Sequence, residues 1–136
     1  DTEAKEVEDF HSYYNSRVAG GTQVAAAYRM VNALVKKDSL DRDYNIYIFH
    51  GTDGDDWDRE GRETIPELKK MLGYASRVGI TIAEHSYGSS GNTEVQTYLN
   101  KSGLLDQAQE MLRLDNMSES EGEDRIIEGI RKLISE

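Results

Sequence analysis

The feature that most constrains this chain is a short apolar run that ends in acid. Tyr44-Asn45-Ile46-Tyr47-Ile48-Phe49-His50 is β-branched and aromatic, and it leads directly into Gly51-Thr52-Asp53-Gly54-Asp55-Asp56. A short apolar run bounded by turn residues reads as a strand buried on both faces, the habit of a parallel sheet. Helical patterns flank it. Val24, Ala27, Tyr28, Val31, Leu34 and Val35 recur at helical spacing after Thr22, a good N-cap, so Thr22 to Lys37 reads as an amphipathic helix. Downstream, Thr64 and Glu67 have capping-box spacing around Pro66, a residue tolerated in a first helical turn. Ile65, Leu68, Leu72 and Ala75 give that helix its apolar face.

Val78 to Ala83 is a second strand, followed by a short helix from about Thr93 to Lys101. Glu110 to Met117 fits a short strand or a helix end equally well. Capping-box spacings at Ser118–Glu121 and Ser120–Glu123 then precede a final amphipathic helix carrying Ile126, Ile127, Ile130, Leu133 and Ile134. Ala4 to Phe10 is a weak candidate for an edge strand. Helices alternating with strands predict a three-layer, Rossmann-like α/β fold, with a mostly parallel sheet between helices. The whole of 1–136 is expected to be a single domain.

Ligands of such sheets bind outside the carboxyl ends of the strands. Three segments are expected there: the loop after His50, the loop after Ala83, and the Gly20-Gly21-Thr22 start of the first helix. Asp53, Asp55, Asp56 and Asp58 put four carboxylates within six residues. A hard divalent cation such as Mg²⁺, Mn²⁺ or Ca²⁺ would relieve their repulsion. The plain alternative is a solvated acidic turn capping the next helix. An EF-hand is excluded, because Trp57 and Asp58 stand where a ligand and the turn glycine belong. Trp57 reads as a packing anchor for the loop, with a hot spot for a partner as the alternative. Tyr87-Gly88-Ser89-Ser90-Gly91-Asn92-Thr93 lacks both the lysine of a P-loop and the spacing of a dinucleotide fingerprint. His50 and His85 each sit near a strand's carboxyl end and read as hydrogen-bonded histidines, with acid–base or metal duty as the alternative.

The net charge of −10, from 26 acidic and 16 basic residues, opposes phosphate-driven nucleic-acid binding and attraction to anionic membranes. Without cysteine there is no disulfide, thiolate metal site or cysteine nucleophile. The chain starts at Asp1 with no signal-peptide pattern, so it is expected to be a piece of something longer.

The motifs Thr2-Glu3-Ala4-Lys5-Glu6-Val7, Gly20-Gly21-Thr22 and Asp53-Gly54-Asp55-Asp56-Trp57 resemble those of the YeaH/YhbH family, which is associated with stress response and sporulation. The C-terminal part of that family is similar to a von Willebrand factor A domain. The resemblance implies a partial domain of that kind, in the cytoplasm, acting as a non-enzymatic protein-interaction module. It implies a metal-ion-dependent adhesion site in which Thr22 and Asp53 are ligands of Mg²⁺ or Mn²⁺. Asp55, Asp56, His85 and Ser86 would support them from outside the coordination shell. The family's Asp-x-Ser-x-Ser loop is absent here, which implies weak metal binding. It also implies missing strands beside Tyr44–His50, hence an exposed edge, with homo-oligomerisation as one outcome. A link to a serine protein kinase system is the implied partner context. The alternative is a metal-assisted hydrolase or phosphotransferase using Asp53 and Asp55, with His50 or His85 as acid or base. A third reading is an interaction module that binds no metal.

Overall fold

A computed structural model of the chain describes residues 23–84, 93–118 and 122–134. The Ala4–Phe10 strand, Gly20-Gly21-Thr22, His85, Ser86 and the glycine–serine segment after them lie outside the described residues. The first described element is helix α1 (Val24–Asp38), and a single turn, α2 (Leu40–Asp43), follows it. Then come β1 (Tyr47–Thr52), α3 (Thr64–Tyr74), β2 (Arg77–Glu84), α4 (Glu94–Ser102), the short α5 (Leu104–Gln107), β3 (Leu112–Ser118) and α6 (Glu123–Ile134).

The strands form one parallel sheet in the order β1-β2-β3. Phe49 pairs with Gly79 and Gly79 with Arg113; Ile48 pairs with Val78 and Val78 with Leu112. Paired residues share a face, so the register separates the sheet into two unlike surfaces. One carries Ile48, His50, Val78, Ile80, Ile82, Leu112 and Leu114. It packs on Val24 and Tyr28 of α1, Leu68 and Met71 of α3, Val95, Tyr98 and Leu99 of α4, and Leu104 of α5. This is the main core, and β2, its central strand, contributes three fully buried aliphatic residues to it. The other face carries Tyr47, Phe49, Gly79 and Asp115 and is covered by α6 alone among the described helices. The fold is thus a three-strand parallel α/β sheet with helices on both sides, as the alternating pattern predicts.

Two expectations need correction. The strand predicted at Tyr44–His50 runs from Tyr47 to Thr52 and is not buried on both faces. Tyr47 and Phe49 are 57% and 51% exposed, because β1 is an edge strand among the described residues and α6 lies over β2 and β3 rather than over it. The capping box at Thr64 does not form either. No side chain at Glu63, the residue before the helix, caps α3. Instead Asp58 accepts the N–H groups of Arg62, Glu63 and Thr64 at 2.9, 2.8 and 2.9 Å. The ambiguous segment near Met111 resolves as strand β3, and Thr93 caps α4 by accepting the N–H of Gln96. Among the described residues no helix is long and apolar enough to cross a membrane.

Candidate functional site

The acidic loop leaves β1 at the carboxyl edge of the sheet. Two short-range hydrogen bonds shape it. Thr52 Oγ1 accepts the N–H of Gly54 at 3.0 Å, and Asp53 Oδ1 accepts the N–H of Asp55 at 3.0 Å. These side-chain turns are the usual way Thr and Asp bend a chain locally. Gly54 has φ +93° and is buried against Thr93, so a side chain there would be strained and would collide with the start of α4. The N–H of Val95 also donates to the Gly54 carbonyl at 3.0 Å. The loop after β1 is therefore fastened to the first turn of α4.

Asp56 draws in the remaining elements. It is 5% exposed. Its Oδ1 accepts the N–H of Val24, the first residue of α1, at 3.2 Å, and the N–H of Asp58 at 3.3 Å. Its Oδ2 accepts the hydroxyls of Thr64 at 3.2 Å and Tyr98 at 2.9 Å. A buried carboxylate is tolerated when its lone pairs are filled in this way. It also lies where a helix N-terminus favours negative charge. Burial and the Asp56 charge push the hydroxyls of Tyr98 and Tyr28 well above the ordinary tyrosine range, so Tyr98 remains a donor. Burial pushes the Asp58 carboxyl up, but the helix N–H groups it accepts outweigh that and hold it below the usual range.

The four aspartates therefore divide by duty. Asp56 ties α1, α3 and α4 together, and Asp58 caps α3. Asp53 and Asp55 are exposed at the sheet edge. Trp57 is 67% exposed, so it is not the packing anchor expected of it. It borders an open depression of about 370 Å³ with Gln23, Ala25, Asp56, Asp58, Arg62 and Glu63. His50 points into the core face, 2.9 Å from the Tyr28 hydroxyl, with the two rings edge to face. Burial pushes its pKa down to about 4 against the opposing pull of Asp56. The ring is neutral near pH 7.

The contacts of Val24 with Asp56 and of Val95 with Gly54 bring the start of α1 and the start of α4 to the acidic loop. Thr22, His85 and Ser86 themselves lie outside the described residues. Among the described residues, no group of three or more His, Asp or Glu side chains is placed to hold a metal ion. The exposed donors there, carboxylate oxygens, have the chemistry a hard cation prefers.

Sequence reasoning missed a second buried carboxylate. Asp115, in the middle of β3, is fully buried. Arg125 of α6 grips both of its oxygens at 2.9 Å, and Lys132 approaches at 3.4 Å. The Arg125 hydrogen bonds, with the charges of Arg125 and Lys132, outweigh burial and hold its pKa below the usual range. Gly129 permits this approach, since a Cβ there would fall on the Asp115 carboxylate. The available signal was a lone glycine inside an amphipathic helix, which often marks close packing.

A parallel α/β domain with a structured acidic loop at its carboxyl edge is the class these features define. A family model described as "Protein of unknown function (DUF444)" matches residues 1–135. The chain belongs to this family, which is the YeaH/YhbH family under another name. It is 27% identical over 100 residues to a UPF0229 protein of Ruminiclostridium cellulolyticum, covering 74% of this chain and 25% of that protein. It is 34% identical over 88 residues to a UPF0229 protein of Chromohalobacter salexigens, covering 62% and 20%. A UPF0229 protein of Vibrio vulnificus is 34% identical over 71 residues, covering 52% and 16%. The matched region thus spans a quarter or less of these relatives. No solved structure matches the chain significantly.

Proposed function

We propose that the carboxyl edge of this sheet is a metal-dependent protein-interaction site of a von Willebrand A-like domain, and that it performs no catalysis. The observation that carries this reading is the division of labour in the acidic loop. Asp56 and Asp58 are consumed in building the edge, whereas Asp53 is held in a tight turn with its carboxyl group exposed. Mg²⁺ or Mn²⁺ would be held by Asp53 and by Thr22, which precedes the first turn of α1. Asp55, His85 and Ser86 would shape the surroundings, and Asp56 acts by fixing the start of α1 against the loop. A bound cation would let an acidic group of the partner complete the coordination shell, so that the metal supplies affinity and orientation. The resemblance further implies a setting in stress response or sporulation and a tie to a serine protein kinase system.

The hydrolase alternative loses one candidate acid–base group. His50 is partly buried against Tyr28 and has a pKa near 4, far from the range a general acid–base group needs at neutral pH. Calorimetric titration with Mg²⁺ and with Mn²⁺ tests the metal reading. Wild type should give a saturable heat that Asp53→Ala loses. Equal heats from the two proteins would end it.

A further inference from the structure

The sheet face away from the main core ends in an apolar surface that no described element covers. On β1 it holds Tyr47 and Phe49. On α6 it holds Ile126, Ile127, Ile130 and Ile134. All six side chains are between 44% and 57% exposed. Their placement follows from the helix. Gly129 and Leu133 are the buried positions of α6. Arg125 and Lys132 lie to one side of that line and reach Asp115 on β3. At about 100° per residue the four isoleucines fall on the opposite flank, away from β3. A Cβ on Gly79 would touch both Leu133 and Phe49, so Phe49 meets α6 above β2 and that flank faces the β1 side of the sheet. Strand and helix thus form one continuous apolar shelf beside an open sheet edge.

Three observations say what meets this shelf. First, among the described residues β1 has a strand neighbour on one side only, and it carries no lysine, proline or other device that protects an edge. Second, the shelf is electrically neutral in a chain of net charge −10. Residues 47–52 carry no Asp, Glu, Lys or Arg, and α6 balances Glu123, Asp124 and Glu128 with Arg125, Arg131 and Lys132. A like-charged copy therefore meets least repulsion here. Third, the exposed parts of the six side chains amount to roughly 600 Å² per copy, so two copies would bury about 1,200 Å², the lower bound for a specific interface.

We propose that this shelf joins two copies of the chain about a two-fold axis perpendicular to the sheet. Their β1 strands run antiparallel across the axis and merge the two sheets into one of six strands. Such an axis keeps each α6 on the same face, so the two isoleucine flanks close over the junction. With the axis at His50, Phe49 of each copy lies opposite Gly51 of the other, where nothing occupies the space above the backbone. The interface is isologous and closes after two copies. It uses the side edge of the sheet and not its carboxyl end, so the sedimentation test and the metal titration can fail separately.

Sedimentation of the 136-residue chain from low to high micromolar concentration tests this. The expected result is a mass rising from 15.4 kDa to twice that value and no further. Phe49→Glu and Ile130→Glu should each hold the chain at the monomer mass. Both sites are half exposed, so the circular dichroism and thermal midpoint of the variants should match wild type. Amide exchange along β1 should slow with concentration in wild type alone. A wild-type monomer at the highest concentration overturns the proposal. So does open-ended growth, or a dimer that survives both substitutions together.

Discussion

Two aspartates are buried among the described residues, and the chain satisfies them by opposite means. Asp56 receives only neutral donors: two backbone N–H groups and the hydroxyls of Thr64 and Tyr98. Asp115 receives a two-pronged arginine and a lysine. Each arrangement matches its mechanical task. Asp56 sits at a loop where three helices start, and helix starts supply unpaired N–H groups and partial positive charge. Asp115 sits in mid-strand, where its backbone groups belong to the ladder, so its charge must be met by side chains of the covering helix. One carboxylate assembles the carboxyl edge of the sheet; the other clamps α6 to its back.

Removing the two groups should separate the two designs. Asp56→Ala strands a helix N–H and two buried hydroxyls at once, and each unsatisfied buried group costs about 1–3 kcal/mol. The expected loss is about 4 kcal/mol in urea denaturation, with no double substitution of donors restoring it cheaply. Asp115→Ala removes the carboxylate that Arg125 grips and should cost about 3 kcal/mol, the low end for a broken buried pair because Arg125 is partly exposed and keeps its bond to the Asn116 carbonyl. Here a compensating pair exists. Asp115→Leu with Arg125→Met should recover most of the loss, since apolar replacements of buried ion pairs are often neutral. Recovery by the double variant sharpens the contrast; a mild Asp56→Ala, under about 1 kcal/mol, would break it.

Gly129→Ala is a gentler probe of the clamp. The added methyl must displace the Asp115 carboxylate or lift α6 from β3, at a cost of about 2 kcal/mol for overpacking. Acid should then act on two scales. His50 has a folded pKa of about 4, below its ordinary 6.5. Above 6.5 it is neutral in both states and adds no pH dependence. As pH falls from 6.5 to about 4 the unfolded chain takes up a proton that the folded one refuses. Stability therefore declines across that window, on the order of 2 kcal/mol. Asp115 follows at lower pH. Its folded pKa is depressed below 3.8, so its contribution is full above that value and is lost as pH falls through the folded one. Denaturation midpoints between pH 7 and 4 for wild type and His50→Gln should show the first decline only in wild type.

The sheet was legible because its signals are local. Val78 to Ala83 is apolar on both sides and lies within one residue of the observed β2 at each end. The helix expected from Thr22 to Lys37 lies within two residues of α1, and the one expected from about Thr93 to Lys101 lies within one residue of α4 at each end. The errors are long-range. Tyr44–His50 has the composition of a strand buried on both faces. Only the sheet order, in which β1 has one neighbour among the described strands, reveals that Tyr47 and Phe49 face outward. Thr64 has the spacing of a cap, yet its hydroxyl is drawn to Asp56, and Asp58 takes the capping duty from six residues upstream. Composition counts Asp53, Asp55, Asp56 and Asp58 as equals. Tertiary donors make two of them structural, and no local pattern announces which two. Asp115 was invisible for the same reason: its partner lies ten residues on, in a helix whose apolar spacing draws attention to the isoleucines.

The smallest effect on stability is expected at Asp53, and it separates function from architecture most directly. Its single described contact is the turn bond to the Asp55 N–H, at an exposed position. An exposed turn bond of this kind is worth about 0.5 kcal/mol or less, so Asp53→Ala should denature almost as wild type does. The same substitution should abolish the Mg²⁺ or Mn²⁺ heat. Asp56→Ala should do the reverse at the level of cause, since it would lower both stability and metal heat by loosening the start of α1. A loss of more than about 2 kcal/mol in Asp53→Ala would place Asp53 with Asp56 among the structural aspartates and leave the carboxyl edge without a dedicated ligand.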